Sequence, residues 1–171
     1  MSRLDLGSFV GRFGTVYEHS SWVAEAVFQQ AMDDSLDTET LGEEQLIKLF
    51  ANVFMTASRD QQLATLQAHP QLACARSQRL QLTDDSKAEQ TGAGLDSCSA
   101  EEFAEFGGLN TAYGKKFGFP FIIAVKGRKR QEILRIFAER LQHDADTEFA
   151  TALSEVGRIA GFRIEGIFRD V

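Results

Sequence analysis

Three polar features stand out in an otherwise apolar, helix-patterned chain of 171 residues: His69, the stretch Ser86 to Gln90, and Arg163. His69 sits in Ala68-His69-Pro70, behind a run in which Leu63 and Leu66 recur at helical spacing. Pro70 disfavours the helical backbone region for the residue before it. The imidazole is therefore expected at a helix junction, able to point into a cleft and to titrate nearer neutral pH than any other side chain. The plainer alternative is a hydrogen-bonded boundary histidine. Glu89 lies in Ser86-Lys87-Ala88-Glu89-Gln90, on a polar helix started by the turn Thr83-Asp84-Asp85-Ser86. A histidine and a carboxylate can move protons if the fold brings them within hydrogen-bond reach, whereas a Glu in a first turn is by default an exposed acid. Arg163 interrupts the stripe Phe149, Leu153, Val156, Ala160 and Ile167. It either meets an anion, which a guanidinium grips through two parallel bonds, or packs its stem and lets its head snorkel to water.

The elements that must position these residues read as helices. Ser8 precedes Phe9, Phe13, Val16 and Tyr17, a first amphipathic helix; Ser20 or Ser21 caps a second, through Trp22, Val23, Ala26, Val27 and Gln30. From Thr40 to about Ala57, the stripe Leu41, Leu46, Leu49, Phe50, Val53 and Phe54 follows acidic residues in a first turn. A helix from Asp60 to Ala68 delivers His69. Ser99-Ala100-Glu101-Glu102 fits a capping box and opens a helix through Phe103, Phe106, Leu109, Asn110 and Tyr113 to about Lys116. The run Phe117 to Val125 is apolar without a helical period, and Pro120 favours a short buried extended segment. Gly127 to Leu141 returns to helix with Ile133, Leu134, Ile136, Phe137 and Leu141 inward, and Asp144 or Asp146 begins the last one. The expectation is an all-α, single-domain bundle of about eight helices, spanning 1–171, with one extended segment near 119–125.

Composition narrows the function class. Apolar residues are 43% and charged residues 25%, ordinary for a globular protein. The net charge of −7 argues against nucleic acid as a partner, since phosphate binding needs clustered Lys and Arg. The run 117–125 is far short of the roughly 20 apolar residues that span a bilayer, so no membrane partner is expected. Two cysteines, Cys74 and Cys98, without a paired motif or a recognisable secretory segment, favour a reduced, cytoplasmic setting and structural or surface thiols. His19 and His143 have no ligand-like spacing to His69, and Gly92-Ala93-Gly94 lacks the residues of a phosphate loop, so neither metal nor cofactor is expected.

The stretches Ala68-His69-Pro70-x-Leu72-Ala73, Ser86-x-x-Glu89-Gln90 followed by Ala93-Gly94-Leu95, and Leu109-Asn110-x-x-Tyr113 with Lys116-Phe117-Gly118-Phe119-Pro120-Phe121-Ile122 carry a resemblance in order and spacing. The chain resembles the decarboxylases of the ureide pathway that act on 2-oxo-4-hydroxy-4-carboxy-5-ureidoimidazoline (OHCU), the last step from urate to (S)-allantoin. The resemblance covers nearly the whole chain and is most specific from about 66 to 125. It implies an all-helical, cofactor-free enzyme, usually a homodimer, with a small ureidoimidazoline substrate. The catalytic histidine would fall on His69, its acidic partner on Glu89 and the substrate-contacting arginine on Arg163. Ligand-lining segments would be Pro70, then Ser86, Lys87, Ala88, Glu89 and Gln90, and Phe121, Ile122, Ile123, Ala124 and Val125. The ending Arg169-Asp170-Val171 differs from the peroxisomal signal of some members, and no preceding hydrolase is fused, which fits a free-standing bacterial cytosolic enzyme. Two other readings stand beside this one: a non-enzymatic helical interaction module with structural His, Glu and Arg, and a metal-dependent lyase or hydrolase using His69 and Glu89.

Overall fold

The computed structural model describes residues 5–73 and 82–169, and these are helical with no strand among them. Among the described residues eight α-helices follow one another: α1 (Leu6–Phe13), α2 (Trp22–Asp33), α3 (Glu43–Thr56), α4 (Arg59–Ala68), α5 (Asp84–Gly92), α6 (Ala100–Phe117), α7 (Arg130–Arg140) and α8 (Ala145–Arg169), with a 3-10 turn at Leu95–Ser97. They form two compact units, Met1–Ala68 with Gly157–Val171, and His69–Val156. Cys74 and the polar stretch from Ser77 to Gln81 lie outside the described residues.

The first unit is built on aromatic packing. Phe9 and Phe13 on α1 meet at 4.9 Å, and Tyr17 lies 4.7 Å from Phe54 on α3, a set of tilted pairs that also includes Phe28 and Phe50. The first helix is shorter than its apolar spacing implies. It begins at Leu6 under an Asp5 cap, whose carboxylate accepts from the Ser8 amide at 2.7 Å, and ends at Phe13 before Gly14. Val16 and Tyr17 are buried all the same, because the turn that follows folds them back into the core. Burial pushes the Tyr17 hydroxyl far above its ordinary pKa. Helix α3 leaves carbonyls unpaired at its C-terminus, as every helix does. The buried Gln62 amide answers them, donating to Phe54 O and Met55 O at 3.1 Å each.

In the second unit Phe121 stacks on Phe137 at 3.8 Å, and Tyr113 stands edge-on to both. Helix α6 starts in the capping box read from the sequence: Glu102 N–H donates to Ser99 Oγ at 3.1 Å, and Ser99 N–H donates to Glu102 Oε2 at 2.9 Å. It stops at Gly118, whose φ of 78° suits a residue without a side chain. Lys116, two residues earlier, donates to the carbonyls of Leu141 and His143 at 2.8 Å each. Helix α7 begins at Arg130, three residues later than the apolar pattern suggests, after a loop in which Gly127 has φ 79°.

Candidate active site

Helix α4 ends at Ala68 and leaves His69 buried at the junction, 9% exposed, as Pro70 requires. The loop behind it is tightly held. Ala73 takes a left-handed backbone (φ 49°), uncommon for a residue with a Cβ. Its N–H donates to Gln90 Oε1 at 3.2 Å, and Gln90 Nε2 donates in turn to Gln71 O at 3.1 Å. Asn110 Nδ2, from α6, donates to Leu72 O at 3.0 Å, while its buried Oδ1 has no hydrogen-bond partner among the described residues. The loop that carries His69 and Pro70 is thus tied to α5, the helix that carries Glu89.

Thr83 caps α5 by accepting from the Ser86 amide at 3.3 Å. A helix cannot turn five consecutive side chains to one side. Ser86 and Gln90, four apart, are buried, Glu89 is half-buried, and Lys87 and Ala88 lie on the exposed face, where Lys87 reaches Asp84 at 3.4 Å. Gln90, expected to line a ligand site, is occupied with the backbone of 71–73.

The segment 121–125 is buried throughout and belongs to neither helix nor strand. Charged side chains hold it. Arg140 Nη1 donates to Ile122 O at 2.7 Å, Ala124 N–H donates to Glu155 Oε2 at 2.7 Å, and Arg128 Nε donates to Ala124 O at 3.1 Å. Arg140 is itself fixed: Glu148, fully buried, accepts from its Nε at 2.9 Å and its Nη2 at 2.5 Å, accepts from the Tyr113 hydroxyl, and faces His143 Nδ1 at 2.8 Å. Burial, and then the neighbouring Glu148, push the Tyr113 hydroxyl far above its ordinary pKa, so it remains a donor. The Phe121 ring packs under the Arg140 guanidinium at 4.5 Å. Among the described residues no hydrogen bond involves the Ile123 amide or carbonyl, although Ile123 is 3% exposed.

Arg163 belongs to the other unit. Its side chain is 6% exposed, which overturns the snorkelling alternative, and the anion it meets is the chain's own Glu18: Nη1 lies 3.0 Å from Glu18 Oε2 and 3.3 Å from Thr15 O.

Glu18, Arg140, Glu148 and Glu155 were not among the residues singled out from the sequence. For Arg140 a signal existed. It follows Ile133 and Phe137 at helical spacing and interrupts a buried face much as Arg163 does. The acids carry no such mark: Glu18 lies in a turn, Glu148 in the first turn of α8 and the half-buried Glu155 in its middle, and each has the same local pattern as a solvated Glu. No group of three or more His, Cys, Asp or Glu among the described residues is arranged to hold a metal ion, and no described helix is long and apolar enough to cross a membrane.

The family model described as OHCU decarboxylase matches residues 2–165. The chain belongs to the OHCU decarboxylase family. It is 41% identical over 164 residues to a 2-oxo-4-hydroxy-4-carboxy-5-ureidoimidazoline decarboxylase of Haloferax volcanii, covering 96% of this chain and 91% of that protein. Its fold is similar to the crystal structure of an (S)-allantoin synthase (TM-score 0.75, 29% identity, 96% of this chain and 51% of that one). It is also similar to the crystal structure of an OHCU decarboxylase in the presence of (S)-allantoin (TM-score 0.72, 25% identity, 92% of this chain and 98% of that one). The OHCU decarboxylase family match runs through both compact units and includes the loop of His69, the helix of Glu89 and the segment 121–125.

Proposed function

We propose that the chain is a cofactor-independent carboxy-lyase that converts OHCU to (S)-allantoin, with residues 1–171 acting as one domain. Family membership over nearly the full length carries the reading. The substrate's chemistry makes a site of ordinary side chains sufficient. Its carboxylate is on a carbon that bears a hydroxyl and adjoins a C=N bond. When the bond to the carboxylate breaks, carbon dioxide leaves and the electron pair moves through the adjoining carbon onto ring nitrogen. The ring nitrogen takes up a proton from solvent; loss of the hydroxyl proton and protonation of the ureido-bearing carbon then give the ketone form, and the face protonated fixes the product's handedness. No external electron sink is needed.

The protein's part is positioning and proton transfer. In this reading His69 and Glu89 handle the hydroxyl proton and the proton delivered to carbon, and Arg163 holds a substrate anion. Pro70, Ser86, Gln90 and the segment Phe121 to Val125 shape the pocket. Lys87 and Ala88, exposed on α5, border it from the same helix. The buried but unpaired peptide groups of Ile123 support the segment's role, because buried backbone donors and acceptors are nearly always satisfied. The enzyme is read as a cytoplasmic homodimer, which sedimentation equilibrium of the purified protein would check. The deciding experiment adds the protein to freshly generated OHCU and follows optical rotation. Rotation of the (S)-allantoin sign, appearing faster than the spontaneous reaction, is expected; only slow, racemic decay would remove the reading.

A further inference from the structure

Four hydrogen bonds converge on the backbone of the buried segment 122–125 and leave the N–H and C=O of Ile123, one from each of the two peptides that flank its Cα, unpaired among the described residues. Ile122 O accepts from Arg140 at 2.7 Å, Ala124 N–H donates to Glu155 at 2.7 Å, Ala124 O accepts from Arg128 Nε at 3.1 Å, and Val125 O accepts from the Arg128 amide at 2.9 Å. Between these fixed points lies Ile123, whose N–H and C=O bond to nothing among the described residues. The clamping groups are themselves held: Arg140 by Glu148, and Arg128 by Glu132 at 2.6 Å. A neutral ureide presents an amide edge, one donor beside one acceptor. Charged side chains aimed at such an edge would match it poorly, whereas a rigid backbone N–H and C=O of one residue match it group for group.

We propose that Glu155 and Arg140 are positioning residues, which fix Ile123 as a donor–acceptor pair for the amide edge of a cyclic ureide. The clamp is a property of the fold; the identity of the ureide rests on the function proposed above. Pre-organising a recognition edge acts equally on ground and transition states, so its loss belongs in KM rather than kcat.

Glu155→Leu removes the acceptor for Ala124 N–H, Glu155→Ala does so with less bulk, and Glu155→Gln keeps an acceptor oxygen. Arg140→Lys keeps a cation beside Glu148 but loses the fork that reaches both Glu148 and Ile122 O. With OHCU generated in place, the Leu, Ala and Lys variants should raise KM by about tenfold or more, the weight of a hydrogen bond to a charged group. Their kcat should stay near the wild-type value, and Glu155→Gln should recover most of the loss. Amide hydrogen exchange gives a second, activity-free readout: Ala124 should exchange faster in Glu155→Leu and Glu155→Ala at unchanged melting temperature, and return toward wild type in Glu155→Gln. Unchanged KM, or unchanged exchange at Ala124, would overturn the clamp while leaving the decarboxylase reading intact. A wild-type protein that never turns over the ureide would overturn that reading and the recognition role, while exchange at Ala124 would still decide the clamp.

Discussion

Arg163 Nη1 and Glu18 Oε2 lie 3.0 Å apart with side chains 6% and 1% exposed, an ion pair closed almost entirely from water across 145 positions of sequence. A buried pair is weak evidence for stability in itself, because desolvation offsets much of the attraction; removing one partner is costly, because the other charge is stranded. Arg163→Met should therefore lower stability by about 3–5 kcal/mol, even though the stem packs as before. Chemical denaturation checks this, and the double variant with Glu18→Gln should recover a large part of the loss. The folded double variant then isolates the proposed ligand role: substrate binding should weaken by about 1.5–3 kcal/mol. A single Arg163→Met variant as stable as wild type would show that the pair contributes nothing.

His69→Asn tests the imidazole. The residue is buried at a helix end, and Asn keeps polarity at nearly the same reach. Helical circular dichroism and melting temperature should change little, while the decarboxylation rate falls by about two to four orders of magnitude. A collapse of the melting temperature would instead mark His69 as a structural boundary residue.

Glu89 is half-buried on α5, and Glu89→Gln preserves its shape without its exchangeable proton. Turnover should drop much more than binding. The structure places Glu89 in the second turn of α5, not the first, so it is not an exposed first-turn acid. The handedness of the product is the sharper measurement: racemic allantoin from a variant that still consumes substrate places the carbon protonation at this residue, and pure (S)-product at full rate would leave Glu89 a structural acid of α5.

Acid should weaken the start of α6. Glu102 is held below its ordinary value of 4.5 first by the Ser99 amide; partial desolvation works against this, and Arg130 adds to it. A carboxyl whose folded pKa is depressed stabilises the fold above its unfolded value, and that contribution fades as pH falls through the lower folded value. Asp5 and Asp144, lowered by the Ser8 and Thr147 groups they cap, act in the same sense. Melting temperature should hold at neutral pH and decline below about pH 4.5, and Glu102→Gln should give a flatter acid limb. An identical limb in the variant would show that Glu102 carries none of this dependence.

Three helix ends are legible from local rules, whereas Ser21 stands at the start of α2 without a capping bond from its side chain, and α3 begins at Glu43 behind Gly42, not at Thr40. Thr83 and Ser99 cap α5 and α6 with side chains that reach only three residues ahead, and Pro70 stops α4 through the residue before it. The segment 121–125 was likewise visible as an apolar run without period. The first helix was overextended because Val16 and Tyr17 continue an apolar spacing that the backbone leaves at Phe13, and burial alone does not distinguish a helix from a turn folded under it. Ser86 to Gln90 was read as one lining strip, although helical rotation divides it into buried and exposed faces. Glu148 was invisible for a different reason. Its burial depends on Tyr113, 35 positions earlier, and on Arg140 and His143 meeting at one point, a convergence that no local pattern records.

The order of residues in the two compact units has a consequence for how the chain acquires its structure. The first unit joins Met1–Ala68 to Gly157–Val171, and the second lies wholly between them, ending at Val156. During synthesis the part within 1–68 therefore waits for residues 157–171 before its unit can be completed, whereas residues 69–156 can complete theirs sooner. Loop-closure entropy over that span slows the final docking, and contacts so distant in sequence form late. Until then Phe13 lacks Phe168, whose ring lies 6.5 Å away, and Glu18 lacks Arg163, so a nascent or C-terminally shortened chain exposes part of this face to chaperones and proteases.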